Sequence, residues 1–209
     1  WSRVEPEPGR FDESALGRYA ELAAALRREG IRPIVCLHHF SEPAWLYRRV
    51  PAGWRSPEAP EHFLRFAERT VLALRAEVAD WLSFNEPMVW LLYAYGLGHF
   101  PPGGRSLLSL ERGTAAVLEG VLAAHREVYR IIHRNIPDSR VSLAQNIVAL
   151  EPARPGAADA AAVAAWDRFM HLDLLDRARE TGSLDFLGIN YYTRIFVRDS
   201  PLPLVLLAV

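Results

Sequence analysis

Glu86 lies in Asp80-Trp81-Leu82-Ser83-Phe84-Asn85-Glu86-Pro87, an apolar run that ends on an amide and a carboxylate. Read as a buried β-strand, the run delivers Asn85 and Glu86 at its C-terminal end, where parallel α/β folds gather their chemistry. A carboxyl group at that place is a candidate general acid. Pro87 lacks an N–H and biases the residue before it towards extended backbone, which predicts that pairing stops at Glu86 and that its carboxyl faces an open cleft. Two further apolar runs end in a similar way, Ile31 to His38 leading into His39-Phe40 and Leu184 to Tyr192 closing on Asn190-Tyr191-Tyr192. His39, Asn85, Glu86, Asn190 and Tyr192 are thus strand-end groups that can hydrogen-bond, and Trp45, Trp54, Met88, Trp90, Tyr93 and Tyr95 occupy the segments that follow. A pyranose ring needs both kinds of group, because hydroxyls surround its edge and C–H bonds cover its faces.

The elements that must position these residues alternate strictly. Asp12 caps a helix with Leu16, Tyr19, Leu22 and Leu26 on one face, and Gly30 suits the left-handed position after it. Ile31 to His38 reads as a strand buried on both faces, since its apolar residues run together. A helix opening at Ser56-Pro57 or Ala59-Pro60 places Phe63, Phe66, Thr70 and Leu74 inward and ends near Ala79. After the Trp81–Phe84 strand, a Gly- and Pro-rich segment holding Tyr93, Tyr95, Gly96, Gly98 and Pro101 to Gly104 predicts a long loop. A helix over about Ser109 to Arg134, a strand over Val141 to Ile147, a helix over about Ala160 to Glu180 and the Leu184–Tyr192 strand complete the pattern. Such alternation predicts one parallel sheet with right-handed crossovers, in a single α/β domain covering residues 1–209. Units of roughly fifty residues would need about 400 to close an eight-stranded barrel, so this chain holds about half of one.

Composition bounds the partners. Half of the 209 residues are apolar, and 24 Lys and Arg are interspersed with 25 Asp and Glu, so no basic face argues for nucleic acid or anionic lipid. No apolar segment has the length of a membrane span. The single cysteine, Cys36, lies in an apolar run and fits a reducing, cytoplasmic setting as a buried, inert thiol. Trp1-Ser2-Arg3 carries neither an initiator methionine nor a signal-peptide pattern, and reads as a start inside a longer protein. His38 and His39 have no second His or Cys at ligand spacing, so no metal site is expected; His125 and His133 read as packing or surface residues.

Five segments together resemble glycoside hydrolase family 1, the retaining β-glycosidases: Trp1 to Pro6 with Gly9 to Asp12, Leu37-His38-His39-Phe40, Asn85-Glu86-Pro87, Gly98 to Gly103, and Asp185 to Thr193. The resemblance covers nearly the whole chain. It implies a partial (β/α)₈ (TIM) barrel, from the end of strand two through strand six, that acts on a β-glycoside or small oligosaccharide without metal or cofactor. Glu86 matches the family's acid/base, Asn85 the amide that binds the sugar 2-hydroxyl, and His39 a histidine that binds the non-reducing sugar. Tyr192 matches a tyrosine that hydrogen-bonds the nucleophile, and Asn190 and Asn146 match asparagines of the cleft's polar network. Phe40 replaces a common Trp, keeping the ring and losing the indole N–H. Met88 stands where many members have a Trp at the leaving-group site.

One part of the pattern is absent. Retention needs a nucleophilic carboxylate about 5 to 5.5 Å from the acid/base. The Glu-Asn-Gly that carries it in the family does not occur in these 209 residues. Glu42 and Glu151 follow strands but match no catalytic position. The chain by itself is therefore expected to be inactive, and a non-catalytic sugar-binding or scaffold protein is the alternative. A doubly wound nucleotide-binding domain would need a Gly-rich phosphate loop after its first strand, and none is present.

Overall fold

The computed structural model describes residues 1–103, 110–199 and 206–208. Helix α1 (Glu13–Arg28) starts where Asp12 accepts hydrogen bonds from the N–H groups of Ser14 and Ala15. Strand β1 is Ile34–His38, followed by the short helix α2 (Ala44–Arg49) and then α3 (Glu58–Leu74). Strand β2 (Asp80–Asn85) leads into α4 (Pro87–Leu91), and α5 (Leu110–Asn135) leads into β3 (Arg140–Asn146). After β4 (Ala149–Pro152) come α6 (Ala157–Asp167), α7 (Asp173–Glu180), β5 (Gly188–Asn190), β6 (Arg194–Val197) and β7 (Leu206–Ala208).

Strands β1, β2, β3 and β5 form one parallel sheet in that order, as the alternation of elements predicts. Helices α3 and α5 cover its outer face, burying Phe63, Phe66, Thr70 and Leu74 from one and Val117, Val121, Ala124, Val128 and Ile132 from the other. At the sheet's lower end the buried carboxylate of Asp80 is held by the guanidinium groups of Arg32 and Arg140. At its far edge Gly188 is demanded by packing: a Cβ there would lie 2.9 Å from both Cα of Ala144 and the carbonyl oxygen of Leu143.

Several boundaries differ from expectation for physical reasons. β1 begins at Ile34, because Ile31 N–H turns back to the carbonyl of Leu26 and Pro33 has no donor to give. It is an edge strand, so it is not buried on both faces: Ile34 is 56 % exposed. Tyr19 and Leu22 of α1, expected on a buried face, are also exposed, because α1 and β1 border an apolar groove of about 440 Å³ that no other element among the described residues fills. α3 ends at Leu74, five residues before Ala79. The expected Leu184–Tyr192 strand shrinks to Gly188–Asn190, again at an edge, with Ile189 57 % exposed. The long loop expected after β2 is helical at its start: α4 continues as one π-helical turn from Leu92 to Gly96, and irregular chain begins only at Leu97. Three short strands were not foreseen: β4 pairs in parallel with β6, and β6 pairs antiparallel with β7. Gly104 and Ser109, parts of the expected loop and helix, lie outside the described residues.

Cys36 is half-buried, and burial pushes its thiol up to about 12, so it stays protonated. His125 is fully buried between Ser83 and the carbonyl of Ser183, a strut joining α5 to the sheet. No helix among the described residues is long and apolar enough to cross a membrane.

Candidate functional site

The site lies where β2 stops. Glu86 is left-handed, with φ 44° and ψ 55°, and is not extended as Pro87 led one to expect. Pairing stops at Glu86 as expected, its N–H making the last bond, to the carbonyl of Ala144 at 2.7 Å. The chain must then turn sharply into α4, whose first residue is Pro87, and the left-handed residue makes that turn. A non-glycine residue held in this region is strained, and such strain collects at functional sites.

The Glu86 side chain is drawn into an amide network. Its Oε1 accepts from Nδ2 of Asn190 at 2.7 Å and from Nδ2 of Asn146 at 3.4 Å. The same Asn190 amide donates to Oδ1 of Asn85 at 2.9 Å. Register explains the meeting: Asn146 and Asn190 are direct partners across β3 and β5, and Asn85 sits opposite Ala144. Asn85 and Glu86 are buried, while Tyr192 beside them is 69 % exposed. The Glu86 charge, and then its hydrogen bond, hold the Tyr192 phenol above its ordinary value. Glu86, Asn85, Asn146, Asn190 and Tyr192 therefore come together at one end of the sheet. Among the described residues, neutral amides orient the carboxyl of Glu86.

His39 stands on the same rim, one residue beyond His38, which pairs with Phe84 of β2. It is exposed, and its ring meets that of Phe40 edge-on at 5.1 Å. Phe40 is the second strained residue, with φ 65°.

The aromatic cleft expected from sequence is largely core. Trp45, Trp54, Met88, Trp90 and Tyr95 are each at most 5 % exposed, so they cannot face a ligand from this chain. Continued helix is the reason, because α4 and its π-helical turn direct Met88, Trp90 and Tyr95 into the space against α5 and the Gly53–Arg55 turn. Tyr93 alone of the six is exposed. Its ring lies tilted at 5.3 Å from that of Phe100, which in turn lies 5.7 Å from Phe40, so Phe40, Tyr93 and Phe100 make the rim's aromatic ledge. A helical reading of residues 87–96 would have separated Tyr93 from its buried neighbours.

Glu151 falls in β4 and pairs with Arg194, away from this network. Among the described residues, the groups in contact with Glu86 are amides and a phenol, and no second carboxylate is among them.

The chain is similar to proteins of known activity. Beta-glucosidase 25 of Oryza sativa subsp. japonica is 28 % identical over 97 % of this chain and 48 % of its own length. Coniferin beta-glucosidase of Pinus contorta is 28 % identical over 96 % of this chain and 47 % of its own. The solved structure of a beta-glycosidase from Pyrococcus horikoshii superposes with a TM-score of 0.87 and 30 % identity, over 99 % of this chain and 50 % of that one. The chain thus spans about half the length of the relatives it matches, and its sheet is an open part of their (β/α)₈ barrel. The family model for glycosyl hydrolase family 1 matches residues 1–176. With that match, and with its strand-end residues converging on Glu86, this chain belongs to glycosyl hydrolase family 1.

Proposed function

We propose that this chain carries the acid/base half of a β-glucosidase-like site that hydrolyses β-O-glycosidic bonds with retention of configuration. The observation that carries the reading is the Asn190 amide, which joins Glu86 to Asn85 at the ends of three neighbouring strands. In a closed barrel, an ionised nucleophile near Glu86 disfavours a second negative charge and keeps Glu86 protonated as substrate arrives. Glu86 gives that proton to the leaving oxygen while Asn85 holds the adjacent sugar hydroxyl and His39 the sugar's far edge. Once the nucleophile is esterified its charge is gone, and Glu86 then takes a proton from the incoming water. Tyr192, already turned towards this pocket, is placed to hydrogen-bond the nucleophile between steps.

The neighbours of Glu86 supply no nucleophile, so the chain alone is inactive in this reading. The same observation supports the second reading, a sugar-binding protein without hydrolysis. Grafting this chain in place of the matching half of the P. horikoshii enzyme separates the two. The first reading expects the graft to hydrolyse 4-nitrophenyl β-D-glucoside and Glu86→Gln to lower kcat/KM by about 10²- to 10⁴-fold. A folded graft whose turnover ignores Glu86→Gln contradicts it.

A further inference from the structure

The loop after β1 contains a carboxylate that the proposed chemistry leaves unused. The side chain of Glu42 is 2 % exposed, and its oxygens accept from Nε1 of Trp54 and Oη of Tyr47. Oε1 also lies 3.4 Å from Nε2 of His38. His38 is itself boxed in by Trp54, Phe63, Phe84 and Trp90, with ring centroids 5.0 to 6.1 Å away, and neither of its nitrogens makes a well-aligned hydrogen bond. Burying a carboxylate is costly unless its oxygens are satisfied, so the surrounding structure is committed to the donors that hold it.

Those donors belong to different segments. Tyr47 is on α2, and its hydroxyl also lies 3.2 Å from the carbonyl of Pro101. Trp54 is in the Gly53–Arg55 turn, and its N–H donates to Oη of Tyr95 at 2.7 Å. Glu42 is thus the junction between the turn that presents His39 and Phe40 and the loop that presents Phe100. Phe40, between them, has φ 65°, a conformation that lasts only if both flanks are held. One flank is His38 in its aromatic box. The other is Glu42, two residues on.

We infer that Glu42 is a positioning residue, which ties the His39–Phe40 turn to the Phe100–Pro101 loop and so fixes the rim beside Glu86. Its value to a sugar rests on the glycosidase reading; the tie itself does not. Leucine could fill the space but would leave the Trp54 indole N–H without an acceptor and the Tyr47 hydroxyl with the Pro101 carbonyl alone. Glutamine keeps one oxygen and turns an NH₂ group towards the other donor.

The test uses the 209-residue chain with no ligand. Hydrogen–deuterium exchange is compared between wild type and Glu42→Gln, and the Trp54 indole proton is followed by NMR. The inference expects residues 39–47 and 97–103 to exchange at least tenfold faster together, the indole proton to move upfield, and α5 and β3 to keep wild-type exchange. Unchanged exchange in both segments overturns it, and so does an even increase along the whole chain, which is what a packing group alone would give. Should Glu42→Gln not fold, Tyr47→Phe removes the hydroxyl that joins Glu42 to Pro101 and leaves Glu42 held by the Trp54 indole. Residues 97–103 should then exchange faster while 39–43 do not, and unchanged exchange at 97–103 overturns the inference. Because no sugar is present, either result stands apart from the outcome of the graft assay.

Discussion

Asn190 and Glu86 are 104 residues apart in sequence, yet Nδ2 of one stands 2.7 Å from Oε1 of the other. β5 brings Asn190 to the height of Asn146 on β3, and the last backbone bond of β2 brings Glu86 to β3 from the opposite side. The contact is therefore a readout of sheet register, and it senses any change in how the strands meet.

The closest electrostatic consequence is on Tyr192. Its phenol is raised because phenolate would face the Glu86 carboxylate, so Glu86→Gln should lower the phenol's midpoint towards the ordinary value of about 10. Ultraviolet titration of the tyrosine, compared with a Tyr192→Phe control, reads this out. A midpoint that does not move would place the two side chains apart in solution.

Gly188→Ala tests the register. The added methyl carbon has backbone at 2.9 Å, atoms that cannot swing aside as a flexible side chain would. The substitution should destabilise the chain by about 1 to 3 kcal/mol. It should also loosen Asn190 from Glu86, so the Tyr192 titration shifts along with the denaturation midpoint. Loss of stability alone would show that β5 holds its register by other means.

Acid should weaken the fold through His125. Burial pushes this imidazole down to about 4 from an ordinary 6.5, so between those values the unfolded chain binds the proton and the folded chain does not. Stability therefore falls as pH drops from about 6.5 to about 4, with no further loss from this group below that. At roughly 1.4 kcal/mol per unit the loss comes to about 3 to 4 kcal/mol. Urea denaturation across that range should show the slope, and His125→Gln, destabilised at neutral pH, should flatten it.

The open edges predict association. β1 presents unpaired backbone and an exposed Ile34 next to the apolar groove beside α1, which is the profile of a strand that recruits another. Sedimentation of the 209-residue chain should show concentration-dependent self-association, and Ile34→Lys should reduce it. A monodisperse wild-type monomer would contradict this prediction.

Much of this architecture could be read from sequence because its cues are local. Apolar runs ending in polar residues gave the parallel strands, and the alternation with amphipathic helices gave their common direction. The network around Glu86 was legible for the same reason: Asn85, Glu86, Asn190 and Tyr192 each sit at or just beyond a strand end, and register does the rest. Burial on open edges was not legible, since Tyr19, Leu22 and Ile34 have the residue types of a core and lack only a neighbour. The burial of the aromatic residues after Glu86 was not legible either, because Pro87 can end a strand or start a helix, and here it starts one that turns Met88, Trp90 and Tyr95 inward. The burial of Glu42 was not legible, because it depends on donors such as Trp54 and Tyr47, whose approach no local pattern announces.

Glu86 is proposed to pass a proton to and from the oxygen on the sugar's anomeric carbon, and chemical rescue addresses that step. In the grafted barrel, Glu86→Ala removes the base that the second step needs, and azide, which needs no deprotonation, can attack the glycosyl intermediate in place of water. With 2,4-dinitrophenyl β-D-glucoside, azide should raise turnover of Glu86→Ala at least tenfold and give β-glucosyl azide, while leaving the Glu86 graft unaffected. Turnover of Glu86→Ala that equals the parent graft and ignores azide would contradict the assignment.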